Sequence, residues 1–335
     1  NYSYVDIDNR VKPFDAFINL FKKESYNISR FVTNEFKAEL EKILIKNSFD
    51  VIQFETLFTT PYLETVRKLS NAKMVYRSHN IEHLIWERRA EITKNPLKKW
   101  YLNLLAKKLK DFEKEIVNNF DGIVSISEID EETQKKYLNP EIKTTSIPIG
   151  FDIAENNPVQ PEEISFFFIG ALDWAPNEQG LKWFLENVWE RVYKQFPDYK
   201  LYIAGRNIPN EFRKWESKNV EICGEVPSSR EFIENHSIMI VPLFFGSGIR
   251  VKIAEAMSLG KTIISTNIGA EGILCKNFKE ILFANTKEEF IQMITHCIEN
   301  PSLVQSISEY AFQFAKGNFD CESLAKRLVN FYEKL

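Results

Sequence analysis

Apolar and polar positions divide the chain into two runs in which strand-like and helix-like segments alternate. In the first run, Val51-Ile52-Gln53-Phe54, Lys73-Met74-Val75-Tyr76-Arg77 and Ile123-Val124-Ser125-Ile126 predict short strands. Residues 11–21 predict a short helix entered at Pro13, and residues 36–45 an amphipathic one. Residues 97–119 place Leu97, Trp100, Tyr101, Leu104, Leu105, Leu109, Phe112 and Ile116 at helical spacing. Ser127 precedes a helix over 128–137, with Asp130 and Glu131 in its first turn, where acidic side chains meet the positive end of the helix dipole. Strands that alternate with helices predict a parallel sheet with helical crossovers.

Residues 150–163 interrupt this pattern with two prolines, two asparagines and little apolar content, as a linker does. The alternation then restarts. Strands are predicted at 164–169, 201–205, 220–224, 238–243 and 262–265, with helices at 177–195 and 251–258. These strands are almost continuously apolar, which suits a sheet covered on both faces. Several end at a glycine, and the carboxyl ends of such strands are where ligands bind. The predicted fold class is therefore α/β, with two doubly wound domains facing a cleft. The tail at 319–335 is amphipathic through Leu324, Leu328, Phe331 and Tyr332, and is expected to pack back on the first domain.

Charge excludes one class of partner. The 43 basic and 47 acidic residues leave a net charge of −4, which speaks against nucleic acid. Basic runs at Lys98-Lys99 and Lys107-Lys108 with Lys110 read as a solvated helix face or as a patch for a membrane surface. Trp100 beside them is expected to pack in the core. Cys223, Cys275, Cys297 and Cys321 have neither CxxC spacing nor a His at ligand spacing, so reduced, mostly buried thiols in a cytoplasmic protein are expected, and no metal. No run reaches the length of a membrane-spanning helix.

The densest chemical signal is Phe245-Gly246-Ser247-Gly248-Ile249-Arg250-Val251-Lys252-Ile253-Ala254-Glu255-Ala256-Met257, between a predicted strand and helix. Gly246 and Gly248 let backbone amides approach a ligand, and the helix start offers unpaired N–H groups. Arg250 and Lys252 add positive charge that could hold a diphosphate and the charge it gains on leaving. Glu255, one turn on, could accept from ribose hydroxyls. The plainer reading is a glycine turn whose Arg and Lys face solvent. No Gly-Lys-Thr/Ser triplet closes the loop, so it is not an ATPase phosphate loop.

The run from Gly248 to Thr266, with Glu255-Ala256-Met257 and Gly260 inside it, closely resembles the donor-binding half of family 4 glycosyltransferases, which have the GT-B fold. Gly269-Ala270-Glu271-Gly272-Ile273 resembles the segment that follows, and Phe168-Ile169-Gly170-Ala171-Leu172-Asp173-Trp174-Ala175-Pro176-Asn177 the first strand and loop of one branch. His79-Asn80-Ile81-Glu82 is similar to the acceptor-domain His segment, with Ser125-Ile126-Ser127 after it. The resemblance runs from about residue 50 to the end. It implies an acceptor-binding domain over 1–150 with the 319–335 tail, and a nucleotide-sugar donor domain over 151–318. It also implies retaining transfer from a UDP- or GDP-sugar to a glycan or lipid-linked acceptor in cell-surface polysaccharide synthesis, without an obligatory metal or cofactor. Peripheral contact with the inner face of the cell membrane would suit such acceptors.

The same resemblance assigns residues. Gly170, Arg206, Gly246, Gly248, Arg250, Lys252, Glu255 and Glu271 form the expected donor set. His79, Arg250 and Lys252 are the expected catalytic groups, and Glu55, Asn80 and Glu82 the acceptor side. Glu255 maps onto the second glutamate of the family's paired-glutamate motif; the first would fall at Ser247, a departure that leaves the donor sugar open. The loop after Gly170 lacks the Arg and Lys usual there, which shifts phosphate binding toward Arg250, Lys252 and Arg206. Base recognition is expected from backbone groups near Gly224 and Val226. His79 could cap a turn, or could stand near the reacting sugar with Glu82 orienting it. The family's usual first strand and Gly-rich loop are not found ahead of Asn1, so the chain as given is expected to lack several tens of residues. A non-catalytic nucleotide-sugar-binding module or a sugar-nucleotide epimerase on the same fold are the alternatives.

Overall fold

Parallel strands must be joined by crossovers, and the crossovers decide which sheet faces are covered. Two sheets form, in two compact units: Asn1–Ile147 with Arg327–Leu335, and Pro148–Lys326. The structure is a computed structural model, and it describes residues 2–8, 10, 12–22, 24–155, 160–161, 163–246 and 248–335. Ser247, and residues 156–159 and 162 of the linker stretch, thus fall outside the described residues. The change of unit comes just before that stretch, at Ile147–Pro148.

The first unit holds β1 (Val51–Glu55), β2 (Lys73–Ser78), β3 (Gly122–Ser125) and β4 (Lys143–Ser146), all parallel and in the order β1-β2-β3-β4. Right-handed crossovers that always step the same way put every connection on one face. On that face Phe54, Met74, Tyr76 and Ile123 pack against Leu63 and Val66 of helix Leu63–Leu69 and Leu109 of helix Pro96–Ile116. The other face is met by the end of the chain. Phe331 and Leu335 lie over Gly122, Arg327 donates to the Ser146 carbonyl at 2.8 Å, and Tyr332 donates to Gln53.

Caps set the helix starts. Thr33 Oγ1 accepts from Phe36 N–H at the head of helix Asn34–Lys46, and Ser127 Oγ from Asp130 N–H at the head of helix Glu128–Lys135. Asn95 does the same for Lys98, with Pro96 in the first turn of helix Pro96–Ile116. Such caps are worth about 1 kcal/mol each. Elements that escape the sequence pattern include β4, which reads Lys-Thr-Thr-Ser, helices Tyr26–Ser29 and Leu63–Leu69, and helix Glu82–Glu91, whose apolar positions are few. The expected helix at 11–21 is shorter, Pro13–Asn19.

The second unit has six parallel strands: β5 (Phe166–Ile169), β6 (Leu201–Ala204), β7 (Val220–Gly224), β8 (Ile238–Val241), β9 (Thr262–Ser265) and β10 (Leu282–Phe283). Their order is β10-β9-β8-β5-β6-β7. In β5 the alternation of side chains sends Phe166 and Phe168 into one core, with helix Ala175–Phe184, and Phe167 into the other, with helix Val251–Ser258. All three are fully buried. A sheet sandwiched in this way explains the unbroken Phe-Phe-Phe. The short β10 and helices Ser229–Glu234, Lys287–Glu299 and Pro301–Asn318 are further elements of this unit that the apolar pattern does not mark.

Three expectations are corrected here. Trp100 does not enter the core: it is 61% exposed, because the buried side of its helix runs through Leu102, Leu105, Ala106 and Leu109. The four cysteines are free thiols, but only Cys297 is buried; Cys223 and Cys275 are partly buried and Cys321 is exposed. Glu82 does not orient His79, as described next.

Candidate functional site

The strand order of the second unit reverses between β5 and β8, since β6 and β7 lie on one side and β9 and β10 on the other. Connections leaving β5 and β8 diverge there and open a crevice at their carboxyl ends, the place where doubly wound sheets bind ligands. The residues after β5 begin with Gly170, and those after β8 lead to Gly246 and Gly248. Nearly every donor-set candidate of the sequence stands on one of these loops or on the two beside them.

Lys252 links the two sides of the crevice. Its Nζ donates to the Ile169 carbonyl at 3.2 Å and to Asn177 Oδ1 at 3.0 Å, and lies 4.5 Å from the centre of the Phe168 ring. Asn177 is buried and its Nδ2 donates to the Ala171 carbonyl at 2.9 Å, which orients its oxygen toward the lysine. Burial, and then the positive charge of Arg250, push the Lys252 ammonium down to about 7. Anionic phosphate beside it would reverse the second cause and restore the proton.

Arg250 sits at the cap of helix Val251–Ser258 and is buried, with its guanidinium 5.1 Å from the centre of the Trp174 ring. Gly246 (φ +132°) is shaped to this arrangement: a Cβ there would come within 2.3 Å of Arg250 Nη2. Gly205 (φ +152°) serves a similar end one strand over, where a Cβ would come within 1.9 Å of the Gly170 carbonyl. The loops after β5 and β6 therefore touch through backbone, and Leu172 N–H donates to the Arg206 carbonyl at 2.9 Å. The Arg206 side chain is exposed beside them.

Glu255 accepts from Ser229 Oγ at 3.0 Å and so faces the segment after β7, with Gly224 (φ +74°) opening onto free space nearby in sequence. Glu271 follows β9; its neighbour Gly272 packs against Ile249 of the glycine-rich loop. The residues expected of a donor site thus stand at one end of the sheet. Trp174 and Asn177, which the sequence names only as loop residues, join them through Arg250 and Lys252. Their signal is positional: both immediately follow a strand ending in Gly170.

The first unit brings a different group together. His79 Nε2 lies 2.6 Å from Glu55 Oε2, joining the ends of β2 and β1. Gln53 Nε2 donates to Glu55 Oε1 at 2.5 Å, and Tyr332 Oη donates to Gln53 Oε1 at 2.5 Å. A polar relay therefore runs from the end of the chain to His79, and the partner of His79 is Glu55. Gln53 and Tyr332 carry no motif, and their part in it is visible only in three dimensions.

Glu82 is buried. Burial, with the nearby Glu113 carboxylate, raises its carboxyl to about 7, against a hydrogen bond with Asn80. Glu113 itself accepts from the backbone N–H groups of Glu82 (3.2 Å) and His83 (3.1 Å) and meets His83 Nδ1 at 2.8 Å. This carboxylate replaces a side-chain cap at the start of helix Glu82–Glu91 and holds the segment that carries His79 and Asn80. Among the described residues, no three His, Cys, Asp or Glu side chains are grouped so as to hold a metal ion, and no helix is long and apolar enough to cross a membrane.

Residues 163–300 match the family described as glycosyl transferases group 1. The chain carries a group 1 glycosyltransferase domain. The matched stretch runs from just before β5 to the end of helix Lys287–Glu299 and so contains the whole crevice described above. A Klebsiella pneumoniae protein, described as an uncharacterized 44.6 kDa protein in the cps region, is 26% identical over 300 residues, covering 86% of this chain and 75% of its own. Sucrose-phosphate synthase from Thermosynechococcus elongatus superposes with a TM-score of 0.69 at 15% identity, over 92% of this chain and 78% of that enzyme. Anabaena HepE in complex with UDP does so with a TM-score of 0.64 at 14% identity, over 90% and 82%. The glycosyltransferase has the GT-B fold, with two Rossmann-like units.

Proposed function

We propose that this glycosyltransferase moves a sugar, with retention of configuration, from a UDP- or GDP-sugar to a glycan or lipid-linked acceptor in the synthesis of a cell-surface polysaccharide. The observation that carries the donor half is the pairing of Arg250 and Lys252 with the Gly246 and Gly248 turns at a helix start beside the sheet's switch point. Positive charge, a helix start and a close-approach backbone meet there, as a leaving diphosphate requires. The UDP bound by HepE and the cps setting of the Klebsiella protein favour the nucleotide and the polysaccharide. The second unit is read as the donor side, and the first, with His79, Glu55 and Asn80, as the acceptor side.

In this reading the bond between the anomeric carbon and the diphosphate oxygen breaks while the acceptor oxygen bonds to the same face. The acceptor proton passes to the departing phosphate. Arg250 and Lys252 hold the charge that accumulates on it, Glu255 receives the ribose hydroxyls, and His79, held by Glu55, donates to a sugar oxygen. No metal is needed for these steps, and the lipid end of the acceptor would bring the protein to a membrane surface.

Calorimetry with UDP, GDP and ADP and their sugar conjugates tests the reading. Base-selective binding that Arg250→Ala weakens at least about 30-fold is expected, the loss of a charge-assisted contact. Absence of binding by every nucleotide removes the reading. Binding without transfer to any acceptor reassigns the chain as a binding module, and isomerisation of the donor alone as an epimerase.

A further inference from the structure

Successive side chains of an extended strand point to opposite faces of its sheet. In β1, Phe54 enters the core beneath the helices, while Gln53 and Glu55 meet Tyr332 and His79. An extended continuation would send Thr56 into that core and Leu57 out of it. The chain does the reverse: Leu57 is fully buried beside Phe54, and Thr56 is only partly buried. One residue makes the reversal. Thr56 has φ +68° and ψ +159°, a region that glycine enters freely and a β-branched residue enters only with strain. Among the described residues Asn207, Asn219 and Phe278 also have positive φ, but Thr56 alone of these four is β-branched.

The turn is held from several sides. Thr56 N–H donates to the Arg77 carbonyl at 3.1 Å, which carries the β1–β2 pairing one residue further. Thr59 Oγ1 lies 3.0 Å from the carbonyl oxygens of both Glu55 and Thr56 and donates to them. Thr60, fully buried, donates its hydroxyl to the Leu57 carbonyl at 2.8 Å. This frame, with the burial of Leu57, accounts for the turn but not for the threonine, since glycine would make the same turn without strain. Among the described residues none forms a hydrogen bond with the Thr56 hydroxyl. Thr56 follows Glu55 directly, and its backbone is bonded to the strand that leads into His79. Strain of this kind collects where a ligand is held.

We propose that Thr56 is a sugar-contacting residue of the acceptor side, its hydroxyl set beside the Glu55–His79 pair to bond one hydroxyl group of the incoming glycan. The proposal rests on the reading of Glu55 and His79 as acceptor-side groups. A threonine hydroxyl both donates and accepts, so it bonds a sugar hydroxyl in either sense. The contact selects the glycan and leaves nucleotide binding alone.

The test measures two quantities on the full chain. In thermal unfolding, Thr56→Gly should raise the midpoint by about 2–4 °C, because the relieved strain outweighs the freedom that glycine gives the unfolded chain. Saccharide binding is followed by saturation-transfer NMR, with the methyl glycosides of glucose, galactose and N-acetylglucosamine as probes. The native chain should bind at least one of them. Thr56→Val and Thr56→Gly should bind it at least about fivefold more weakly, and Thr56→Ser within about twofold of the native chain. Thr56→Val keeps the β-branch and the strain, so its loss isolates the hydroxyl. UDP and GDP affinities should be the same in every variant. The proposal is overturned if Thr56→Gly is no more stable than the native chain, if no probe binds the native chain, or if Thr56→Val binds the probe as the native chain does. His79→Ala and Glu55→Gln separate the two levels. Probe binding weakened by these but not by Thr56→Val removes the role of Thr56 alone, whereas binding unchanged in both removes the acceptor-side reading beneath it.

Discussion

The crevice of the second unit and the His79 cluster of the first are built in opposite ways. In the crevice, the chemistry lies close together along the chain: Gly246, Gly248, Arg250, Lys252 and Glu255 span ten residues, and one turn into one helix presents them. The His79 cluster is assembled across the fold from β1, β2 and the last helix, Cys321–Tyr332. A charge-binding site can be local, because a helix start already supplies N–H groups and a dipole. Orienting one imidazole needs partners from other strands. The comparison teaches that the first site should fail in binding when altered, and the second in turnover.

The sharpest break of that comparison is His79→Ala, for which we expect a fall in transfer rate on the order of a hundredfold or more with nucleotide affinity unchanged. Steady-state kinetics beside calorimetry would show it, and an equal loss of affinity would erase the distinction. Arg250→Ala should do the reverse, weakening nucleotide binding by about 30-fold to 100-fold. Gly246→Ala should approach it, because a Cβ at that position displaces the guanidinium.

A pH titration of affinity sharpens the local side. Burial and Arg250 hold Lys252 at about 7, and an anionic phosphate beside it would restore the proton, so binding should take up a proton. Nucleoside diphosphate affinity should be full below about pH 7 and fall roughly tenfold over the next unit or so as pH rises, in step with each decade of deprotonation. Lys252→Arg, which stays charged, should flatten the profile, and an unchanged slope in that variant would assign the proton elsewhere.

Two smaller effects probe the first unit. Burial and Glu113 hold Glu82 at about 7, above its ordinary 4.5, so the folded chain binds the extra proton and stability falls as pH climbs through that window. Glu82→Gln should therefore be more stable than the native chain at pH 8, by about 1–2 kcal/mol, and no different below pH 4.5. Urea unfolding at both values measures it. Last, Tyr332→Phe removes the far end of the relay and should slow transfer by about threefold, the modest cost of one exposed-edge hydrogen bond.

Much of the second unit was legible because its strands are long apolar runs closed by glycines. The apolar pattern found five of its six strands, the exception being the two-residue β10. In the first unit β4 was not legible, since Lys-Thr-Thr-Ser has no apolar alternation and pairs with β3 only because a sheet edge is there to receive it. Trp100 was misread for a related reason: the helical period of 97–116 is correct, but which stripe of it faces the core depends on the sheet beneath.

From the sequence alone come the two α/β runs, the glycine turn with its Arg-x-Lys, and Glu255 one turn further, because each depends on neighbours a few residues away. The tertiary structure alone decided that Asn177 receives Lys252 from 75 residues away, that Glu55 rather than Glu82 holds His79, and that Tyr332 reaches Gln53 across 279 residues. The physical reason is common to all three. A hydrogen bond between distant residues is set by strand order and register, and those emerge only when whole elements pack.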